Sequence, residues 1–244
     1  MKQNRLYHEL AHLWPLISPP EEYADDAQHW CAALRQKLGP GRHRILELGV
    51  GGGHNLWHLT PEFDATAVDI SEKMLALSRQ LNPEVEHHVG DMRTVRLGCG
   101  FKAVLIHDAI CYMLTEDDLR ATFATSKAHL EPGGVLIVAP DWFRETFEGT
   151  TVLHWTRRKD GLELTCIEYL HDPDPGDTTI ESIFFYILEE SGKISVEQDR
   201  HITGLFSFDA WLRLMEEAGF WVEVKRYQPY DGGYGGYLLV GTAK

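Results

Sequence analysis

"RILELGVGGGHN", residues 44–55, starts as an apolar run and dissolves into four glycines before a polar pair. A five-residue stretch of Ile and Leu bounded by glycine reads as a buried strand. Gly49, Gly51, Gly52 and Gly53 then let the backbone turn sharply and approach a ligand closely, because no Cβ intervenes. The following "HNLWHL" (54–59) is helix-like, so the order is strand, glycine loop, helix. That context is the one a nucleotide-like ligand requires.

The same alternation continues on the C-terminal side. Short β-rich runs at 65–69 ("ATAVD"), 85–90 ("VEHHVG"), 102–108 ("KAVLIHD") and 135–139 ("VLIVA") are separated by amphipathic segments with recognisable ends. Ser71 caps "EKMLALSRQL", which stops at Asn82-Pro83; Thr115 and Asp118 form a capping-box pattern ahead of "LRATFATSKAHL", which stops at "EPGG". Strand–helix alternation of this kind predicts an α/β fold with a mostly parallel, Rossmann-like sheet covered by helices on both faces.

On either side of this core the pattern differs. Residues 1–40 read as helical, with breaks at "SPPEE" and "LGPGR", and are expected to form a lid. After Ala139 four strand-like runs appear, joined by Asp160-Gly161, by "DPDPGD" and by Ser191-Gly192, all turn formers. Residues 141–204 therefore predict an antiparallel β insertion placed as a cap. "SFDAWLRLMEEAGF" returns as a helix capped by Ser207 and ended by Gly219, and two last strands complete a core expected to span 41–140 and 205–244.

Composition narrows the function. With 23 basic and 37 acidic residues the formal net charge is −14, which disfavours a nucleic-acid partner. The four cysteines are scattered, with no CxxC, and no apolar run is long enough to span a bilayer; a reduced, cytoplasmic protein is the expectation, with no membrane partner. A second copy of the chain, as a homodimer, is the macromolecular partner the sequence leaves room for.

The loop chemistry separates two cofactor classes. A dinucleotide G-x-G-x-x-G would need glycine at the position held by His54, which argues against the nicotinamide-dependent oxidoreductase that is the main alternative. What stands here is E-x-G-x-G-x-G, made by Glu47, Gly49, Gly51 and Gly53. Asp69 follows at the end of the second strand, where a carboxylate can accept from ribose hydroxyls. "GDM" (90–92) follows the third strand and "LEPGG" precedes the fifth. Together these residues resemble the class I S-adenosylmethionine-dependent methyltransferases. The resemblance implies that the glycine loop holds the methionine part of S-adenosylmethionine, Asp69 the ribose, and Asp91 the adenine. Ile70, Met92 and His107 complete the expected cofactor wall, and the antiparallel last strand is the one the family's fold implies.

A closer resemblance covers nearly the whole chain. "YHELAHLW", "LNPEVEHHVGDMR", "PDWFRETF" and "HITGLFSFDAWLRLMEEAGF" are similar to segments of the nucleotide-linked amino-sugar N,N-dimethyltransferases. The chain has Trp14 where that group typically carries tyrosine, and Tyr112 where it carries histidine, both near the reacting centre. The implied reaction is methyl transfer to a nitrogen, or to an oxygen, of a small molecule. A binding protein that kept the cofactor but lost catalysis is the other alternative.

Tyr112, after the fourth strand, and His201, from the insertion, are the candidates for polarising the nucleophile. Trp14, Trp142 and Arg144 are expected to shape the acceptor pocket. A nucleotide-sugar would bring two phosphate charges, against which Arg144 and an exposed hairpin run at 157–159 are a thin provision. A less charged amine or hydroxyl acceptor is therefore the expectation. "HELAH" (8–12) matches the HExxH zinc signature, but no supporting strands precede it and no third ligand motif follows, so no metal is expected. G-x-S-x-G and the Walker lysine are both absent from the sequence.

Overall fold

The computed structural model describes residues 4–228 and 235–244. Short 3-10 turns at Arg5–Tyr7, Ala11–Leu13 and Pro20–Tyr23 accompany α1 (Trp14–Ile17) and lead into α2 (Ala24–Leu38). The core then runs through β1 (Arg44–Leu48), α3 (His54–Leu59), β2 (Asp64–Asp69), α4 (Glu72–Leu81), β3 (Glu86–Val89) and β4 (Phe101–Ile106). A 3-10 turn at Asp108–Tyr112 precedes α5 (Glu116–His129) and β5 (Leu130–Val138). The insertion comprises β6 (Thr151–Lys159), β7 (Leu162–His171), β8 (Thr179–Glu190) and β9 (Lys193–Gly204). The chain ends with α6 (Phe208–Glu217), β10 (Phe220–Arg226) and β11 (Tyr237–Ala243).

Seven strands form one sheet in the order β10-β11-β5-β4-β1-β2-β3. β1 pairs parallel with β2 and β4, while β11 runs antiparallel to β5 and to β10. The central strands are apolar on both faces, as a doubly covered parallel sheet requires. Leu46, Leu48, Val104, Ile106, Leu136 and Val138 pack toward Phe123 of α5 and Trp211 and Leu214 of α6. Their alternates Ile45, Ala103, Leu105, Val135 and Ile137 pack toward Trp30 and Leu34 of α2 and Leu56 and Leu59 of α3. Each large side chain buried this way contributes about 1.5–3 kcal/mol.

The helix ends follow their capping residues. Ser71, Thr115 and Ser207 each accept a hydrogen bond from the backbone N–H three residues on, at 3.1–3.2 Å. α6 stops at Gly219, whose φ of +87° favours glycine. The fifth strand differs from expectation: it begins at Leu130, which pairs with Phe101 before the Pro-Gly-Gly segment shifts the register.

The chain runs β1, β2, β3 toward one edge and β4, β5 toward the other, so the topology reverses between β1 and β4. Ligands of such sheets bind outside the strand C-terminal ends at that reversal. The four-stranded antiparallel sheet β6-β7-β8-β9 stands beside this mouth. Its hairpins turn at Asp160-Gly161 and Ser191-Gly192, where all four residues have positive φ, as a two-residue I′ turn needs. Leu6, Leu10, Leu13, Leu16 and Ile17 pack on Leu164, Cys166 and Tyr186 of this sheet. The N-terminal segment and the insertion thus bury a common apolar core. Among the described residues, no helix is long and apolar enough to cross a membrane.

Candidate active site

Two adjoining chambers open at the reversal. The first, about 340 Å³, is lined by Glu47, Gly49, Gly51, Asp69, Ile70, Asp91, Met92 and His107, all expected from the sequence. The second, about 450 Å³, lies under the insertion and is lined by His201 and Trp142 among others. Tyr7, Trp14, Tyr23, His107, Asp108 and Tyr112 line both, so these six residues form the wall and passage between them.

The glycine loop is shaped by contacts as well as by backbone freedom. Gly49 has φ +75°, and a Cβ there would lie 2.4 Å from the Cβ of Ala109 and 2.8 Å from Met92 Cε. A Cβ on Gly52 would lie 2.6 Å from the Trp14 indole, which roofs the loop. Gly53 departs from expectation. It does not line the first chamber, and its Cβ would strike Ser78 Oγ and Asn82 Nδ2 of the α4 segment at 2.3 and 2.4 Å. Its place in the motif is set by helix packing, and its carbonyl accepts from Asn82 Nδ2 at 3.0 Å.

Asp69 braces the loop from β2. Its Oδ2 accepts from Gly51 N–H and its Oδ1 from Ser71 N–H, both at 2.8 Å. Each carboxylate oxygen keeps a second acceptor site for a hydroxyl. Burial raises its pKa, against the three backbone N–H bonds that lower it. Asp91 is held below the usual carboxylate range by Arg93, whose Nη2 lies 2.6 Å away and whose Nη1 reaches Asp118 at 2.7 Å. Ile70 exposes 68% of its surface, an apolar face beside Asp69.

Glu47 is only 2% exposed, and its Oε2 has no partner among the described residues. Burial pushes its pKa up to about 8, opposed by the charge of His107. A cation in the first chamber would relieve that cost, which suits an amino-acid ammonium group. The folded state therefore keeps a proton that the unfolded chain releases above about pH 4.5. Stability from this group is unaffected below that pH and falls as pH rises from about 4.5 to about 8. Glu47→Gln is expected to raise the cofactor-free melting temperature at pH 8 and leave it unchanged near pH 4.5. Calorimetric scans at the two pH values check this, and equal shifts at both would refute it.

Tyr112 sits where the chambers meet, at the end of a chain of hydrogen bonds from β9. Asp199, fully buried, lies with Oδ2 2.9 Å from His201 Nε2, and His201 Nδ1 lies 2.6 Å from the Tyr112 hydroxyl. Because Asp199 only accepts, Nε2 carries the hydrogen and Nδ1 is left to accept from Tyr112. The Tyr7 hydroxyl is 2.8 Å from that of Tyr112. Burial would raise the Asp199 pKa, but His201 and the backbone N–H groups of Arg5 and Leu6 lower it, so it stays ionised. Burial and Tyr7 push Tyr112 well above its usual pKa, so it rests as a neutral hydroxyl and not as tyrosinate. The sequence reading named Tyr112 and His201, which the structure joins by a hydrogen bond, and did not include their neighbours Asp199 and Tyr7. The Asp199-x-His201 spacing puts both on one strand face and was a usable signal; Tyr7 left none.

Trp14 and Trp142 line the second chamber as expected. Arg144 does not: it is exposed, and its guanidinium donates to the Asp177 carbonyl, tying the start of the insertion to the β7–β8 turn. The expectation that residues 157–159 point to solvent also fails at Arg157. Its Nη2 reaches both carboxylate oxygens of Glu22 at 2.6 and 2.7 Å and its Nη1 donates to the carbonyl of Ile17, pinning the insertion to the N-terminal segment. Within "HELAH", His8 falls in a turn and His12 in a 3-10 turn, so the two do not share an α-helical face. Among the described residues no group of three His, Cys, Asp or Glu could hold a metal.

Comparison with known proteins meets this geometry. A model of the methyltransferase domain family matches residues 45–134. The dTDP-3-amino-3,4,6-trideoxy-alpha-D-glucopyranose N,N-dimethyltransferase of Streptomyces venezuelae is 32% identical over 224 residues, 91% of this chain and 92% of that protein. The chain belongs to the class I S-adenosylmethionine-dependent methyltransferases. The crystal structure of Streptomyces venezuelae DesVI superposes with a TM-score of 0.82 at 30% identity, covering 91% of this chain and 92% of that one. S-adenosylmethionine-bound CalS10, an amino pentose methyltransferase from Micromonospora echinaspora, gives 0.79 at 26% identity over 91% and 92%. As a methyltransferase of this family, the protein uses S-adenosylmethionine and methylates a small molecule; the oxidoreductase alternative is set aside.

Proposed function

We propose that this methyltransferase holds S-adenosylmethionine in the first chamber and methylates the amine of an amino-sugar-like small molecule held in the second. The observation that carries this reading is the shared wall: one passage, flanked by Tyr7 and Tyr112, joins a glycine-loop chamber to an aromatic chamber. The names of two relatives, both amino-sugar N,N-dimethyltransferases, support nitrogen over oxygen. In this reading 1–40 is a lid, 141–204 a cap, and the rest the cofactor-binding core.

The residues present fit the cofactor. Glu47 faces the chamber with an unpartnered carboxyl oxygen, Gly51 leaves room for close approach, Asp69 offers two acceptors, and Ile70 and Met92 give apolar walls. When bound, S-adenosylmethionine supplies a methyl group on a sulfonium sulfur, open to in-line attack. The chain's part is to align the acceptor nitrogen and keep water out. An amine attacks only as the free base, so a protonated acceptor must lose a proton first. Tyr112 takes that proton by donating its own to His201 Nδ1, and Asp199 stabilises the resulting imidazolium.

Asp69→Ala is expected to weaken S-adenosylmethionine binding at least tenfold, since each charge-assisted hydrogen bond is worth about 1.5–3 kcal/mol. Isothermal calorimetry on the folded variant measures this. Unchanged affinity would remove Asp69 from the cofactor site and with it the assignment of the first chamber.

A further inference from the structure

Two hydrogen-bond donors at the roof of the first chamber are left without an acceptor. One is the Trp14 indole nitrogen, which is buried and has no partner among the described residues. The other is the backbone N–H of Gly52, in the loop beneath it. The neighbouring N–H groups are committed: Gly49 and Val50 donate to the Val68 carbonyl, Gly51 to Asp69, and Gly53 to the Val50 carbonyl. Gly52 is buried and lines the chamber, yet its N–H has no such partner among the described residues. Buried N–H groups are almost always paired, so two of them side by side mark the place of an acceptor.

The two donors converge. A Cβ on Gly52 would lie 2.6 Å from Trp14 Nε1. A Cβ stands about 2.5 Å from its own backbone nitrogen, so the two nitrogens are within about 5 Å of each other. One carboxylate spans that gap with an oxygen to each. The surroundings leave the task to neutral donors. Arg93 is the only Arg or Lys among the described lining residues, and it is taken by Asp91 and Asp118. His107 lies 3.3 Å from Asp108. His54 stacks on Trp14 with ring centroids 5.9 Å apart and is neutral, because burial pushes its pKa down to about 4. An indole N–H donates and cannot accept, which suits a carboxylate and not an ammonium. Glu47, from β1, holds its unpartnered oxygen for the opposite charge.

We propose that Trp14 is a cofactor-binding residue whose indole N–H, together with the Gly52 N–H, holds the carboxylate of the methionine part of S-adenosylmethionine. This rests on the reading of the first chamber as the cofactor site and goes beyond it in assigning the carboxylate. Glu47 takes the ammonium group of the same amino acid. The two ends of the zwitterion are thus read by different layers, one by the N-terminal segment and one by the sheet. The N-terminal segment closes on the cofactor through Trp14, and a ligand without the carboxylate loses that contact.

The test is calorimetric and needs no methyl acceptor. Wild-type protein and Trp14→Phe are each titrated with S-adenosylhomocysteine and with S-adenosyl-3-thiopropylamine, the same molecule without its carboxylate. Phenylalanine keeps an aromatic roof and removes the N–H, and any packing it loses affects both ligands alike. Wild type is expected to bind S-adenosylhomocysteine at least tenfold more tightly than the thiopropylamine. Trp14→Phe should narrow that ratio at least fivefold by weakening S-adenosylhomocysteine. Equal weakening of both ligands, unchanged S-adenosylhomocysteine affinity in the variant, or equal affinity of wild type for the two would each overturn the proposal. The wild-type comparison decides by itself should the variant not fold. Asp69→Ala separates the two levels: loss of S-adenosylhomocysteine affinity there upholds the chamber assignment whatever Trp14 does, and retained affinity brings down both.

Discussion

Gly51→Val is expected to lose S-adenosylmethionine binding by more than a hundredfold while the protein stays folded. The position separates ligand space from protein space. A Cβ there would come no nearer than 3.7 Å to any side chain, that of Met74, so the core does not resist it. Gly51 has φ +54°, a left-handed conformation that costs an ordinary L-residue about 1–2 kcal/mol and a β-branched one more. The two methyl groups would instead project into the first chamber, which Gly51 lines beside Asp69. Circular dichroism and a melting curve report the fold, and calorimetry reports the cofactor. Near-normal affinity in a folded variant would mean that the cofactor does not approach this loop. Gly49→Val could not make the same distinction, because its Cβ already meets Ala109.

Tyr112→Phe is expected to lower kcat by about a hundredfold with little change in cofactor affinity, the range that one positioned acid–base group contributes. The substitution keeps the ring and deletes the hydroxyl that touches both His201 and Tyr7. His201→Ala should cost a similar factor, and the double variant little more than either single one, because residues acting as one unit are not additive. Fully additive losses would show that the two side chains act separately. An unchanged kcat in Tyr112→Phe would show that the amine loses its proton before it enters, leaving the relay a structural element.

The parts of this protein legible in its sequence are those with a local cause. "RILEL" followed by glycines, Ser71 and Thr115 at helix starts, and Asp-Gly and Ser-Gly at hairpin turns each specify their own backbone. From them came the alternating sheet, the insertion and its strands. The lining of the first chamber was legible for the same reason, since Glu47, Asp69, Asp91 and Met92 lie at or just beyond the C-terminal ends of strands. What failed was long-range pairing. Arg157 sits at a hairpin end in sequence and reads as solvated, yet Glu22 and the carbonyl of Ile17, more than a hundred residues away, capture it. Gly53 reads as part of the ligand loop, yet its small size answers to Ser78 and Asn82. Tyr7 is joined to the site because the N-terminal segment lies along β9: Asn4 N–H donates to the Arg200 carbonyl and Leu6 N–H to the Asp199 carboxylate.

The Trp14 roof over Gly52 constrains how this chain can change. The indole stands 2.6 Å from where a Cβ at position 52 would be, so no side chain fits there while tryptophan is retained. The two sites lie on different layers and far apart in sequence, yet they form one unit of inheritance. A lineage that gained alanine at 52 first would lose the roof's packing; one that shrank Trp14 first would keep a working loop and open both chambers. Only the second order avoids that clash, so position 14 is free to change before position 52 can.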